Sequence, residues 1–372
     1  MRTIARSLLM IICGVGSASP ILAAPQGHTP GAVFVMTNAA DNNQVIAFNR
    51  AADGTLSYDE AHDTGGRGSG GVNDPLEAQG SLTLTQQHDF LFAVNAGSGN
   101  VSVFGVHGSS LNLVDKVPSG GSEPVAVTEH NNIVYVLNSG GAGSVVGFNL
   151  DSRGKLTQIE NSTAFLSANA TGGASIAFSP DGRFLLVTER LANNIDVFSV
   201  RANGTLGPIV VNPSPAPGAF SVSFAPDGKA IVSETGGANG SAISSYSVQP
   251  DGMLTAVSQS VPTDGAANCW NAVTPDGTKV YVSNAGSSTI SGFAIGASGT
   301  LAPLPGTVVG NNPDGATNLD IAISADGRFL YSLNSGSGDI GIFAIGQDGT
   351  LTGLGGAGDF PKFAGFNGIA AL

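Results

Sequence analysis

The sequence predicts an all-β, seven-bladed β-propeller with four antiparallel strands per blade, and three observations carry that prediction. One phrase recurs seven times along the chain. The phrase is built of short strands and tight turns, with no helical period anywhere. The last residues read as a strand that the first repeat lacks, which closes a ring.

The chain opens with Arg2 and Arg6, an apolar stretch from Leu8 to Val15, and small residues up to Ala23 and Ala24. That order is the order of a secretory signal. Residues 1–24 are therefore expected to be removed, leaving 25–372 as a single propeller domain in the periplasm or outside the cell. About eight apolar residues fall far short of the roughly 20 that span a bilayer. Later apolar runs are cut by Gly, Asn or Asp, so no membrane association is expected.

The repeat is clearest where SIAFSPDGRFLLVTERLANNIDVFSVRANGTL (Ser175–Leu206) is set beside DIAISADGRFLYSLNSGSGDIGIFAIGQDGTL (Asp320–Leu351). An apolar strand A leads into a Pro-Asp-Gly-type turn and a second strand B. Strand B closes on a polar residue, at Asn38, Asn95, Asn138, Glu189, Glu234, Asn284 and Asn334, spaced 43 to 57 residues apart. A polar loop and strand C follow, ending near an aromatic such as Phe104, Phe198 or Phe343. A Gly-x-Leu turn then opens strand D, as at Leu56, Leu206 and Leu351. The first repeat begins at strand B, and Phe366–Ala371 supplies the missing strand A. Such closure leaves no open sheet edge. The A–B hairpins and C–D turns then share one rim, while B–C loops and D–A connections gather at the opposite mouth of the central channel.

Composition narrows the function. The full chain carries a net charge of −13, and loss of Arg2 and Arg6 makes it two units more negative. Such a surface repels nucleic acid and anionic lipid. Only Cys269 remains after removal of Cys13, so no disulfide forms within the chain. A monomer is expected.

The phrases SPDGRFLLVTE, APDGKAIVSE, TPDGTKVYVSNAGSSTISGF and SADGRFLYSLNSGSGDIGIF resemble the seven-bladed lactonase family, which includes 6-phosphogluconolactonases and 3-carboxymuconate-cyclising enzymes. The resemblance covers essentially the whole chain after residue 24. It implies a small-molecule lactone or related organic acid as ligand. The family's paired histidines in blade four would fall at Gly172 and Ala174, its Arg-His in blade five at Phe220 and Ser221, and its blade-six arginine at Ala285. The acidic residues ending strand B of blades four and five are kept, as Glu189 and Glu234.

These two acids are also the residues that break the internal pattern, since the other five blades use Asn. Paired carboxyls can exchange a proton with a lactone, so Glu234, Glu189 and Arg190 are the expected catalytic group. The expected binding residues are Trp270, Asn271, Asn318, Asp320 and Asn367 at the starts of A strands. Arg67 joins them from the long connection Thr64–Gly80, which also carries Asp74 and Glu77. No histidine follows His130, and no CxxC, HxH or HExxH spacing occurs, so no zinc site is expected. No cofactor is expected; calcium is the cation that such oxygen ligands would suit. Two functions follow: a secreted enzyme that hydrolyses or forms a lactone ring, or a non-catalytic propeller binding a small ligand, glycan or protein.

Overall fold

A computed structural model of the chain describes residues 31–236 and 240–372. The expected signal segment, 1–24, lies outside them. No helix among the described residues is long and apolar enough to cross a membrane.

The repeats fold as predicted into seven antiparallel sheets. Blade four runs Gly173–Phe178, Phe184–Glu189, Asn194–Val200 and Leu206–Pro213 as strands A to D. Blade five runs Ala219–Phe224, Lys229–Glu234, Ala242–Val248 and Leu254–Pro262. The polar residue predicted to close strand B does so in six blades; in blade one the strand stops at Met36, two residues short of Asn38. Strand D of blade three is broken into Leu156–Gln158 and Ala164–Phe165. Innermost strands pack one against the next around the ring.

The turn chemistry explains why these phrases fold locally. In the hairpin Ser179-Pro180-Asp181-Gly182, the Ser179 hydroxyl donates to Asp181 at 2.7 Å and accepts from the Phe184 amide at 3.0 Å. Gly182 takes φ +68°, a left-handed conformation that glycine adopts at little cost. The C–D turns serve a second purpose. Tyr135, Tyr281 and Tyr331 on B strands donate to the carbonyls of Gly204, Gly349 and Gly54 in the turn of the next blade, at 2.6, 2.9 and 3.0 Å. Each bond stitches adjacent blades where hydrophobic packing alone would let them slide.

Closure occurs through Ile369–Ala371, which pairs antiparallel with Val33–Val35. The ladder is extended by Met36 N–H to Gly368 O at 3.1 Å and Leu372 N–H to Ala32 O at 2.8 Å. The first blade is thus shared between the two ends of the described chain.

Candidate functional site

The mouth is shaped by the long connection between blades one and two, which crosses the channel as a strap. It leaves blade one through Gly68 and Gly70, whose amides bond Ala39 O and Asn38 O. Asp74 then accepts from Asn367 Nδ2 at 2.8 Å. Leu76 and Ala78 point into the apolar interior, at 4 % and 1 % exposure. Ala78 O accepts from Trp270 Nε1 at 3.0 Å. Gln79 bonds the main chain of Asn271 through both side-chain polar atoms, and its amide donates to Ala174 O at 2.9 Å. One short segment therefore ties blade six, blade four and the turn that precedes the closing strand.

The strap carries two members of a cluster of ionisable groups, Asp74 and Glu77. Arg190, just past strand B of blade four, pairs with Glu77. Burial pushes the Asp74 carboxyl up to about 6, repulsion from Glu77 adds to this, and the Asn367 amide and Arg190 oppose it. Asp320 is 3 % exposed and is pushed up to about 8, by burial first and by Asp74 as a lesser cause. Its oxygens accept from the amides of Ile321 at 2.9 Å and Ile369 at 3.3 Å. Burial raises the Cys269 thiol as well, so it stays neutral. Two buried atoms here make no hydrogen bond: Arg190 Nε, a donor, and Asn367 Oδ1, an acceptor. Buried polar atoms without a protein partner are free to bond water or a bound group.

The expected catalytic acids are elsewhere. Glu234 is 0 % exposed and accepts from Ser214 and Ser244, each at 2.9 Å. Burial raises its pKa, and the surrounding serines partly offset this. Glu189 is also 0 % exposed and accepts from the amide and hydroxyl of Ser167. Each acid is thus closed over by a serine of the connection that enters its blade. Only Arg190, of that group of three, reaches the mouth.

The expected binding residues divide similarly. Asp320 and Asn367 join the cluster. Trp270 is 1 % exposed and packs edge-to-face on Phe220 at 5.1 Å, so neither ring face is open. Asn271 Nδ2 donates to Ser221 and Ser233 at 2.8 and 3.0 Å, and Asn318 Nδ2 to Ser283 at 2.6 Å, which makes both interblade clamps. Arg67 is exposed on the rim, where its main chain meets Ser98.

Sequence reasoning placed Asp74 on the mouth side without giving it a role; the signal that could have singled it out is an acid inside the longest connection. No group of three or more His, Cys, Asp or Glu suited to a metal occurs among the described residues. An open cleft of about 940 Å³ lies on the opposite rim beside Arg50, His88, His107 and Asp326. Its most buried cation, Arg50, is paired with Asp326 at 3.2 Å and lies over Phe329.

A family model described as a seven-bladed β-propeller lactonase matches residues 33–266. No curated protein matches the chain significantly. Among solved structures, the periplasmic gluconolactonase of Pseudomonas aeruginosa is 19 % identical, with 92 % of this chain and 99 % of that one covered at a TM-score of 0.69. A Bacteroides uniformis protein described as a 6-phosphogluconolactonase is 20 % identical, with 93 % and 100 % covered at a TM-score of 0.69. At such identities the structural likeness speaks for the fold, and the family follows from the sequence match. The chain belongs to the seven-bladed β-propeller lactonase family.

Proposed function

We propose that the chain opens a neutral lactone at the channel mouth, with Asp74 as general base and Arg190 polarising the lactone carbonyl. The observation that carries this reading is the meeting, at one strap, of a carboxyl poised at about 6 with an unpaired donor and an unpaired acceptor. A base with a pKa near the working pH combines availability with driving force. Ionised Asp74 takes a proton from water as the water oxygen bonds to the carbonyl carbon. The charge growing on the carbonyl oxygen falls to the Arg190 guanidinium. Collapse breaks the ring C–O bond, and Asp74 returns the proton to the departing ring oxygen, giving a hydroxy acid.

Glu77 and ionised Asp74 outnumber Arg190 at the mouth, while Asp320 stays largely neutral, a balance that favours an uncharged lactone over a phosphorylated one. Trp270, Asn271 and Asn318 support the wall, while Glu189 and Glu234, having no exposed atom, hold their blades together. The step uses no cofactor and needs residues of only one chain. Action in the periplasm or the medium fits the N-terminal sequence and the periplasmic relative. The test is a panel of aliphatic, sugar and phosphorylated lactones. Wild type is expected to hydrolyse a neutral member fastest, and Asp74→Asn to lose about 10²-fold with its fold intact. Rates no higher than buffer across the panel would contradict the reading.

A second reading, a non-catalytic propeller binding a small ligand, glycan or protein, is favoured by the buried Trp270 and by Gly172, Ala174, Phe220, Ser221 and Ala285 at the family's histidine and arginine places. Saturable binding without turnover would select it.

A further inference from the structure

Blade four contains a pair of acids that the mouth chemistry does not use. In blades two, five and six the residue closing strand B meets a hydroxyl two places into strand C. Asn95 donates to Ser102 at 2.9 Å, Asn284 to Ser291 at 2.8 Å, and Ser244 donates to Glu234 at 2.9 Å. Each is one donor and one acceptor. In blade four the corresponding residues are Glu189 and Asp196, two acceptors. Both are 0 % exposed.

Their surroundings are unequal. Glu189 receives the Ser167 amide at 2.9 Å, the Ser167 hydroxyl, and Asn194 Nδ2 at 3.3 Å. Those donors suit an ionised carboxylate. Both oxygens of Asp196 are buried without a well-formed hydrogen bond, and only the Ser167 amide, which donates to Glu189, lies near enough to favour its charged form. Strand B and strand D of the blade offer no other charge: Phe184–Glu189 holds only Glu189, and Leu206–Pro213 holds none. Asp196 is the only ionisable group of strand C, and residues 166–172 contain none. Arg190 turns its guanidinium away to Glu77.

We propose that Asp196 is protonated at neutral pH and donates its hydrogen to Glu189, so that a single proton latches blade four. One proton converts two acceptors into the donor–acceptor pair that blades two, five and six have. Burial, followed by the Glu189 charge, pushes Asp196 up to about 8. The latch fixes the Ser167 connection to the end of strand B, which runs straight into Arg190, the anchor of the strap. Alkaline release of the proton therefore loosens the mouth from beneath.

Linkage sets the sign of the test. The folded chain holds this proton more tightly than the unfolded one, so the pair's stabilisation is complete below about pH 4. It declines as pH rises, by about tenfold in the folding constant per pH unit, up to about pH 8. Asp196→Asn supplies an amide donor in place of the acid and should remove that slope, while contributions from Asp74, Asp320 and Glu234 cancel between the two proteins. Glu189→Gln, which removes the neighbouring charge and offers Asp196 an amide donor, should lessen the slope, should the first variant fail to fold. An infrared carbonyl stretch from a protonated carboxylic acid should be present at pH 7 and weaken in Asp196→Asn. Parallel stability–pH curves for wild type and both variants would overturn the proposal. So would stoichiometric calcium in wild type that Asp196→Asn loses, because a cation and not a proton would then join the pair.

Discussion

Removing Ile369–Leu372 is expected to cost half or more of the protein's stability. Ile369 is 4 % exposed, so losing its burial costs about 2–3 kcal/mol, and the methyls of Ala370 and Ala371 add about 1. The ladder to Val33–Val35, with the flanking bond from Leu372 N–H, loses about four main-chain hydrogen bonds at about 1 kcal/mol each. The total is about 7 kcal/mol, against the 5–15 kcal/mol typical of a folded protein. Strand Gly31–Met36, buried throughout in the intact ring, becomes an open edge. At about 2.1 cal/mol/K per residue, roughly 340 residues give an unfolding entropy of about 0.7 kcal/mol/K, so Tm should fall by about 10 °C. Scanning calorimetry measures this, and hydrogen exchange should show amides of Gly31–Met36 losing protection. A Tm within about 2 °C of the intact chain would refute closure as a stabilising device.

Tyr281→Phe removes the stitch to Gly349 and leaves that carbonyl buried without its partner; urea unfolding should show a loss of about 1–2 kcal/mol with lactone turnover unchanged. Trp270→Phe keeps an aromatic ring but loses the bond to Ala78 O, so hydrogen exchange should rise in residues 74–80 before any change in the blades. Glu234, whose carboxyl titrates above its ordinary 4.5, stabilises the fold most at acid pH and loses that contribution as pH rises above 4.5. Glu234→Gln should therefore flatten the pH dependence of unfolding above about pH 4.5.

The blades were readable because each is a local phrase. Ser179-Pro180-Asp181-Gly182 dictates its own hairpin through contacts spanning five residues. The closing strand could be foreseen because the first repeat lacked one. The strap could not, since Gln79 meets Asn271 and Asn367 meets Asp74 across separations of 192 and 293 residues, and no local pattern encodes such pairing. Glu189 and Glu234 stand out in sequence for breaking the Asn pattern, yet the break serves interior polar networks. Asp196 would have revealed this, as the acid that replaces a serine two places into strand C. Sequence assigns a residue to a rim more readily than it says which way the side chain turns once there.

The most direct test of lactone opening at the mouth is the pH dependence of kcat/KM on the best neutral lactone, for wild type and Asp74→Asn. With Asp74 as base, the wild-type profile should rise through an apparent pKa near 6, as its ionised form accumulates, and reach a plateau near neutrality. The variant should be about 10²-fold slower and lack that inflection. A variant with wild-type rates and the same inflection near 6 would contradict the account, because the proton would then be moving through another group.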